Sequence, residues 1–174
     1  MDILSQIVSR KKEEIQDAQR QKSLARLREA ASKRNDRRSF YEALKQPGQH
    51  GANIIAEIKR ASPSKGPLRT DLDPAALARA YAAGGAAALS VLTDHDFFQG
   101  SPEDLITARQ AVHLPVLRKD FLISDYQIYE SAEMGADAVL LICRILSQQQ
   151  LSDLLALSRS LDMDALVEIH TIED

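Results

Sequence analysis

Glu57 and Lys59 stand two residues apart in the run Ile54-Ile55-Ala56-Glu57-Ile58-Lys59. In an extended strand, whose side chains alternate between two faces, Ile55, Glu57 and Lys59 share one face while Ile54, Ala56 and Ile58 share the other. An acid and a base therefore enter one interior from the end of a single strand. The run Val116-Leu117-Arg118-Lys119-Asp120-Phe121 groups Leu117, Lys119 and Phe121 in the same way, and Ala165-Leu166-Val167-Glu168-Ile169-His170 groups Leu166, Glu168 and His170. Two carboxylates and two ammonium groups at one mouth can exchange protons with a substrate and hold an acidic one. A lysine whose stem lies in a closed cavity loses hydration, which lowers its pKa and suits it to donate a proton. Phe121 is placed to stack on an aromatic ring.

Each segment also has a plain reading. Glu57 and Lys59 could form an internal ion pair that fills space, and Lys119 could be a surface lysine past a strand end with Phe121 packing beside it. The loop Ser62-Pro63-Ser64-Lys65-Gly66 offers hydroxyls, backbone N–H groups and a cation to an anion, yet taken alone it reads equally as a turn. Convergence of three strands on one mouth outweighs these separate readings. Asp94-His95-Asp96 has a spacing that fits no standard metal site, so no metal is expected and a solvated loop is. His170 reads as a structural histidine, and Cys143, at the end of an apolar strand, as core.

The elements that must position these groups alternate along the chain. Apolar runs at Asn53 to Lys59, Ala87 to Leu92, Pro115 to Lys119, Ala136 to Ile142 and Ala165 to Ile169 read as strands. Helical stretches at Pro74 to Ala83, Pro102 to Val112, Asp125 to Met134 and Ser147 to Leu161 lie between them. Asp73 and Ser101 are candidate caps ahead of Pro74 and Pro102, and Gly84-Gly85 and Gly135 supply left-handed helix stops. Val139-Leu140-Leu141-Ile142 is apolar on both faces, as in a parallel strand covered on both sides. Strand starts step by 34, 28, 21 and 29 residues, and no glycine-rich nucleotide loop follows the first strand. The expected fold class is α/β, of the (β/α)8 barrel family, whose chemistry lies at the carboxyl ends of the strands. Residues 1–50 read as an N-terminal helical extension ending at Gln46-Pro47-Gly48, and 51–174 as the barrel portion, with about five βα units. A complete barrel typically takes about 250 residues.

Composition sets the outer limits. The chain has 174 residues, 44% hydrophobic and 27% charged, with a net charge of −3, so it is not disordered throughout and carries no global field for nucleic acid or an anionic membrane. Charge is uneven: residues 9–38 hold eleven basic against five acidic side chains, and the remainder is acidic. The interleaved Glu13, Glu14, Asp17 and Glu29 make that basic stretch a solvated helix face rather than a nucleic-acid-binding one. One cysteine excludes an intrachain disulfide and a Cys/His zinc cluster. No apolar run approaches the roughly 20 residues needed to span a bilayer, and a reduced, cytoplasmic setting is expected.

Four stretches closely resemble the indole-3-glycerol phosphate synthase family of tryptophan biosynthesis. They are Ala56-Glu57-Ile58-Lys59-Arg60-Ala61-Ser62-Pro63-Ser64, Leu92 to Ser101, Leu117-Arg118-Lys119-Asp120-Phe121, and Val167-Glu168-Ile169-His170. The resemblance implies a barrel lyase that closes an indole ring on 1-(2-carboxyphenylamino)-1-deoxyribulose 5-phosphate, losing carbon dioxide and water, with no metal or organic cofactor. It implies Lys119 as general acid, Glu168 and Glu57 in proton removal and dehydration, and Lys59 on anionic substrate groups and in proton transfer. It also implies Ser62 as a substrate contact, with Phe97 and Phe121 flanking the aromatic ring. The family's sixth to eighth strands have no counterpart here. Thr171-Ile172-Glu173-Asp174 resembles a capping box opening a further helix, so the sequence predicts a truncated chain with little activity. The partners expected are a phosphorylated anionic small molecule and either another copy, through exposed strand edges, or a fused domain of the same pathway. A non-catalytic assembly fragment and a different phosphosugar barrel enzyme are the alternative readings.

Overall fold

Helix α1 (Ile3–Gln21) starts where Asp2 accepts a hydrogen bond from the Ser5 N–H at 2.7 Å, satisfying one of the orphan donors of its first turn. Its two fully buried positions, Ile7 and Lys11, lie one turn apart and so share a face. Helix α2 (Leu24–Ser32) follows with Ser23 as its cap and buries Leu27 and Ala31, again one turn apart. Helix α3 (Phe40–Lys45) is capped by Ser39 and buries Phe40. The computed structural model describes residues 2–48, 51–69 and 71–171. The expected capping box falls mostly on residues 172–174, outside the described residues.

From residue 55 strands and helices alternate as the sequence predicts. The sheet strands are β1 (Ile55–Ile58), β2 (Ala88–Leu92), β3 (Val116–Lys119), β4 (Ala138–Ile142) and β5 (Asp164–Glu168). All neighbours are parallel and the spatial order is the chain order, β1 to β5. A sequential parallel order without a reversal is the wall of a β/α barrel, here of five strands. Helices α4 (Pro74–Ala83), α5 (Pro102–Ala111), α6 (Asp125–Met134) and α7 (Gln148–Ser160) cover its outer face. The cap readings hold: Asp73 accepts from the N–H groups of Ala75 and Ala76, and Ser101 from that of Asp104. Gly135, at φ 95, ends α6 in the left-handed conformation that glycine adopts without strain.

Alternation along the strands divides the core. Ala56, Ile58, Leu89, Val91 and Val116 meet α4 and α5, while Val139 and Leu141 meet α6 and α7. The other face of the sheet carries Ala88, Leu117, Ala138, Leu140 and Ile142, packed with Phe40. Since Ala88 and Ala138 begin their strands, α3 covers the amino end of the inner face and leaves the carboxyl end to the loops. Each fully buried Leu or Val contributes about 1.5–3 kcal/mol, so β4, apolar on both faces, and β2, apolar but for Ser90, anchor the core. The outermost strands differ: Ile54 and Ile55 before and at the start of β1, and Leu166, Val167 and Ile169 on and after β5, are exposed.

Three local expectations change. The first strand ends at Ile58 because residues 61–67 form a two-residue antiparallel hairpin, Ala61–Ser62 against Gly66–Pro67. Cys143 is half-buried in a single 3-10 turn after β4, because the chain bends off the sheet there and lifts it out of the core. The basic N-terminal stretch is not simply a solvated face. Arg34 donates to the Gly135 and Ala136 carbonyls, and Arg38 to the Arg109, Val112 and Leu114 carbonyls. These arginines satisfy the orphan acceptors at the ends of α5 and α6 and so fasten the extension to the barrel wall.

Candidate active site

The strand alternation delivers all four charged groups to the inner face at its carboxyl end. Glu57 in β1 lies in register with Ser90 of β2, whose hydroxyl donates to Glu57 Oε2 at 3.5 Å. Lys59, two residues on, turns its ammonium back to Glu57 Oε1 at 2.7 Å. Across the sheet, Lys119 ends β3 and Glu168 ends β5, and Lys119 Nζ lies 3.2 Å from Glu168 Oε2. The four side chains are each about 30–33% exposed, so the mouth is open rather than closed around Lys119.

Above these pairs lies a cavity of about 520 Å³. Lys59 and Glu168 line it directly, and Glu57 and Lys119 reach it through them. Residues 62–65 and Leu68 form one rim, Phe98 and Phe121 a wall, and Ile3, Leu4 and Ile7 of α1 a roof. Ile142, Arg144 and His170 complete the lining. The Phe98 and Phe121 rings stand 6.0 Å apart between centroids and tilt by 39°. Such tilted pairs are favourable, and together the two rings present an apolar surface against which a ligand ring can pack. Lys59, Lys65 and Arg144 against Glu168 leave the lining net cationic, a fit for an anionic ligand with an aromatic part.

The rim is held by backbone and by one bidentate pair. Arg60 donates to Asp104 at the start of α5 through Nε at 2.8 Å and Nη2 at 2.7 Å, and Ala61 N–H donates to the Phe98 carbonyl. Ser62 is thereby fixed over the end of β1. The hydrogen bond to Asp104 holds the Arg60 pKa above its ordinary value.

Of the residues singled out in the sequence, Lys59, Ser62, Phe121 and Glu168 meet in the cavity wall. Phe97 is not part of that wall, and its neighbour Phe98 is. The reason lies in Asp94, whose Oδ1 accepts from both Phe97 N at 2.8 Å and Phe98 N at 3.1 Å, winding the loop so that the second ring faces inward. Two adjacent phenylalanines look alike in sequence, and only the loop's winding separates them. The solvated-loop expectation for Asp94-His95-Asp96 also changes: Asp94 is fully buried, His95 is exposed, and Asp96 pairs with Arg10 at 2.6 Å. His95 and Asp96 face each other at 3.0 Å, while Asp94 turns inward to the loop backbone. Among the described residues no group of three or more His, Cys, Asp or Glu could hold a metal ion.

His170 is exposed at the mouth, 3.6 Å from Glu168, not enclosed as a structural histidine. Arg144 and the apolar roof from α1 escaped notice in the sequence. The signal for the roof was present as the apolar periodicity of Ile3, Leu4 and Ile7, but periodicity does not say which surface a helix will cover.

Residues 4–174 match the family model for indole-3-glycerol phosphate synthase. The indole-3-glycerol phosphate synthase of Desulfosudis oleivorans is 57% identical over 174 residues, covering 99% of this chain and 66% of that protein. Those of Syntrophobacter fumaroxidans and Chromobacterium violaceum are 52% and 49% identical, covering 99% of this chain and 65% and 66% of theirs. The chain thus spans slightly less than two thirds of the length of these curated relatives.

Proposed function

The chain belongs to the indole-3-glycerol phosphate synthase family, and on that premise we propose that its cavity closes an indole ring on 1-(2-carboxyphenylamino)-1-deoxyribulose 5-phosphate, a step of tryptophan biosynthesis in the cytoplasm. The observation that carries this reading is the pairing of Glu57 with Lys59 and of Lys119 with Glu168 beneath an aromatic-walled, net cationic cavity.

In this reading the substrate's aryl ring packs against the wall of Phe98 and Phe121, and its phosphate and carboxylate are drawn to the lysines and Arg144. Charged groups leave water at high cost unless paired, so the cations make binding possible. The aryl carbon bearing the carboxylate attacks the ketone carbon, forming the new carbon–carbon bond, while Lys119 protonates the ketone oxygen. Loss of that carboxylate as carbon dioxide returns its electron pair to the ring and restores aromaticity. The hydroxyl then leaves as water with a proton from a site acid, and a carboxylate, Glu57 or Glu168, removes a proton from the methylene carbon beside the nitrogen to leave the indole double bond. The Lys119–Glu168 contact lets the lysine recover its proton between steps, and Lys59 steadies the anionic groups beside Glu57. No step calls on a metal or organic cofactor.

We further propose that the 174 residues alone turn over slowly. Lys119 and Glu168 are each about a third exposed and the edge strand β5 exposes Leu166 and Val167, so water reaches the charged groups, and charge stabilisation weakens where water enters. The same exposed edge favours a second reading, self-association by strand pairing.

Hydrogen exchange followed by mass spectrometry, with and without the substrate, tests where it binds. Slower exchange is expected in 60–65, 97–99 and 121–124, with none in 33–45 at the opposite end of the sheet. Protection confined to 33–45, or no protection anywhere, contradicts the reading.

A further inference from the structure

Lys11 stands in the basic run Arg10-Lys11-Lys12 of α1, yet its side chain is only 4% exposed. Its ammonium lies 2.7 Å from Glu14 Oε2, 2.8 Å from Asp94 Oδ2 and 3.1 Å from Asp120 Oδ1. Burial acts to lower its pKa, but Asp120 and Asp94 outweigh this and hold it above the ordinary lysine value. The two aspartates come from different strands, Asp94 just after β2 and Asp120 just after β3. Each also holds an aromatic wall. Asp94 accepts from Phe98 N, and its carbonyl accepts from Gly100 N at 2.8 Å. Asp120 Oδ1 accepts from Phe121 N at 2.8 Å, while Oδ2 accepts from Thr93 Oγ1 at 2.6 Å and pairs with Arg118 at 3.2 Å. One turn before Lys11 on the same helix, Ile7 is part of the cavity roof. One ammonium therefore joins the roof and both walls of the cavity, without itself lining it.

We propose that Lys11 is a positioning residue for the ring-closing site, the ammonium that locks the α1 roof and the Phe98 and Phe121 walls into one enclosure around the substrate's aryl ring. The proposal rests on the function read above. A compact ammonium with three donors can serve three carboxylates converging from different directions, whereas the planar guanidinium of arginine presents its donors in one fixed fork. Severing the lock would leave the four proton-transfer groups in place and loosen the wall that orients the ring against them, which is where a one-ångström misplacement costs rate.

The test uses the full chain and its variants Lys11→Met, Lys11→Arg, the double variant Lys11→Met/Asp94→Asn, and Lys12→Met as an exposed neighbour on the same helix. The double variant removes the carboxylate stranded by loss of Lys11, while the amide oxygen of Asp94→Asn remains an acceptor for the Phe97 and Phe98 N–H groups. Hydrogen exchange without ligand reads the lock, and fluorescence titration with 2-aminobenzoate, a probe of the aromatic wall, reads its effect on binding. In Lys11→Met and the double variant, α1 amides are expected to exchange at least tenfold faster with 138–142 unchanged, and probe affinity to fall at least fivefold. Lys11→Arg should restore part of both, and Lys12→Met should match the unaltered chain. A folded double variant with unchanged α1 exchange, or with unchanged probe affinity, overturns the proposal. An unaltered chain that does not bind the probe contradicts the ring-closure reading and with it the role given to Lys11, and the ligand-free exchange distinguishes that failure from failure of the lock.

Discussion

Asp36 and Asp137 contact the same two arginines at nearly the same distances, and only one of them should matter to stability. Asp137 Oδ1 accepts from Arg34 Nη2 at 2.7 Å, Arg109 Nη2 at 3.0 Å and the Arg38 N–H at 3.0 Å. Its Oδ2 accepts from Arg109 Nε at 3.2 Å and Val116 N at 3.0 Å. Asp36 receives Arg34 at 2.9 Å and Arg109 at 2.6 Å. The Asp137 side chain is 0% exposed and that of Asp36 57%. Replacing Asp137 by Asn leaves one amide NH2 facing either the Val116 N–H and Arg109 Nε or the other three donors, and it strips two nearly buried guanidinium groups of their shared counter-charge. Breaking a buried pair costs about 3–5 kcal/mol, a large part of the roughly 5–15 kcal/mol that holds a domain together. Although Arg34 and Arg109 overcome the effect of burial and hold the Asp36 pKa down at about 2, solvent screens that pair, and Asp36→Asn should cost less than about 1 kcal/mol. With a urea slope near 2 kcal/mol/M, Asp137→Asn should lower the midpoint by about 1.5–2.5 M and Asp36→Asn by less than about 0.5 M. Urea melts at pH 7 followed by circular dichroism read both. Equal midpoint shifts, or a larger one for Asp36→Asn, would refute the argument that burial and not contact distance sets the worth of these pairs.

Two further outcomes follow from the loops and from charge. A Cβ on Gly100 would sit 2.7 Å from the Leu92 carbonyl carbon and closer still to its oxygen, so Gly100→Ala must push the loop off the end of β2. A cost of about 1–3 kcal/mol is expected, with faster exchange at Phe97 and Phe98, and unaltered exchange there would count against the close approach as the reason for glycine. Burial acts to raise the pKa of Asp120, but Arg118 and Lys11 prevail and hold it below its usual value, as Arg34 and Arg109 do for Asp36. The stability these carboxylates confer is present above about pH 4 and is lost as pH falls toward their folded values. Lys11, raised in the fold, confers stability that is complete below about pH 10.5 and lost as pH rises through its folded value. The urea midpoint should therefore stay flat from about pH 5 to 9 and fall below about pH 4, and a drop centred near pH 6–7 would point to histidine instead.

Much of the frame is legible from short-range patterning. Period-two alternation placed Glu57, Lys59, Lys119 and Glu168 on one face, because strand geometry leaves a side chain only two directions. Proline at the start of α4 and α5 and glycine at the end of α6 mark boundaries for local steric reasons. What escaped depends on contacts far apart in sequence. Lys11 looks like its solvated neighbours Arg10 and Lys12, and only the docking of α1 against two loops some 80 and 110 residues away buries it. The choice of Phe98 over Phe97 rests on two hydrogen bonds to a buried aspartate, and the commitment of Arg34 and Arg38 to helix ends rests on tertiary packing that composition does not report.

We propose that the four groups at the carboxyl end of the sheet close an indole ring. Single turnover with protein in excess over substrate labelled in its carboxylate, scored as labelled carbon dioxide released, tests it directly. The unaltered chain should release label above the buffer blank. Lys119→Met, which removes the proposed general acid from a partly exposed pair worth less than about 1 kcal/mol of stability, should slow release by about 10²–10⁴-fold at an unchanged urea midpoint. Release from the unaltered chain no faster than from buffer, or equal release from Lys119→Met, would contradict the account.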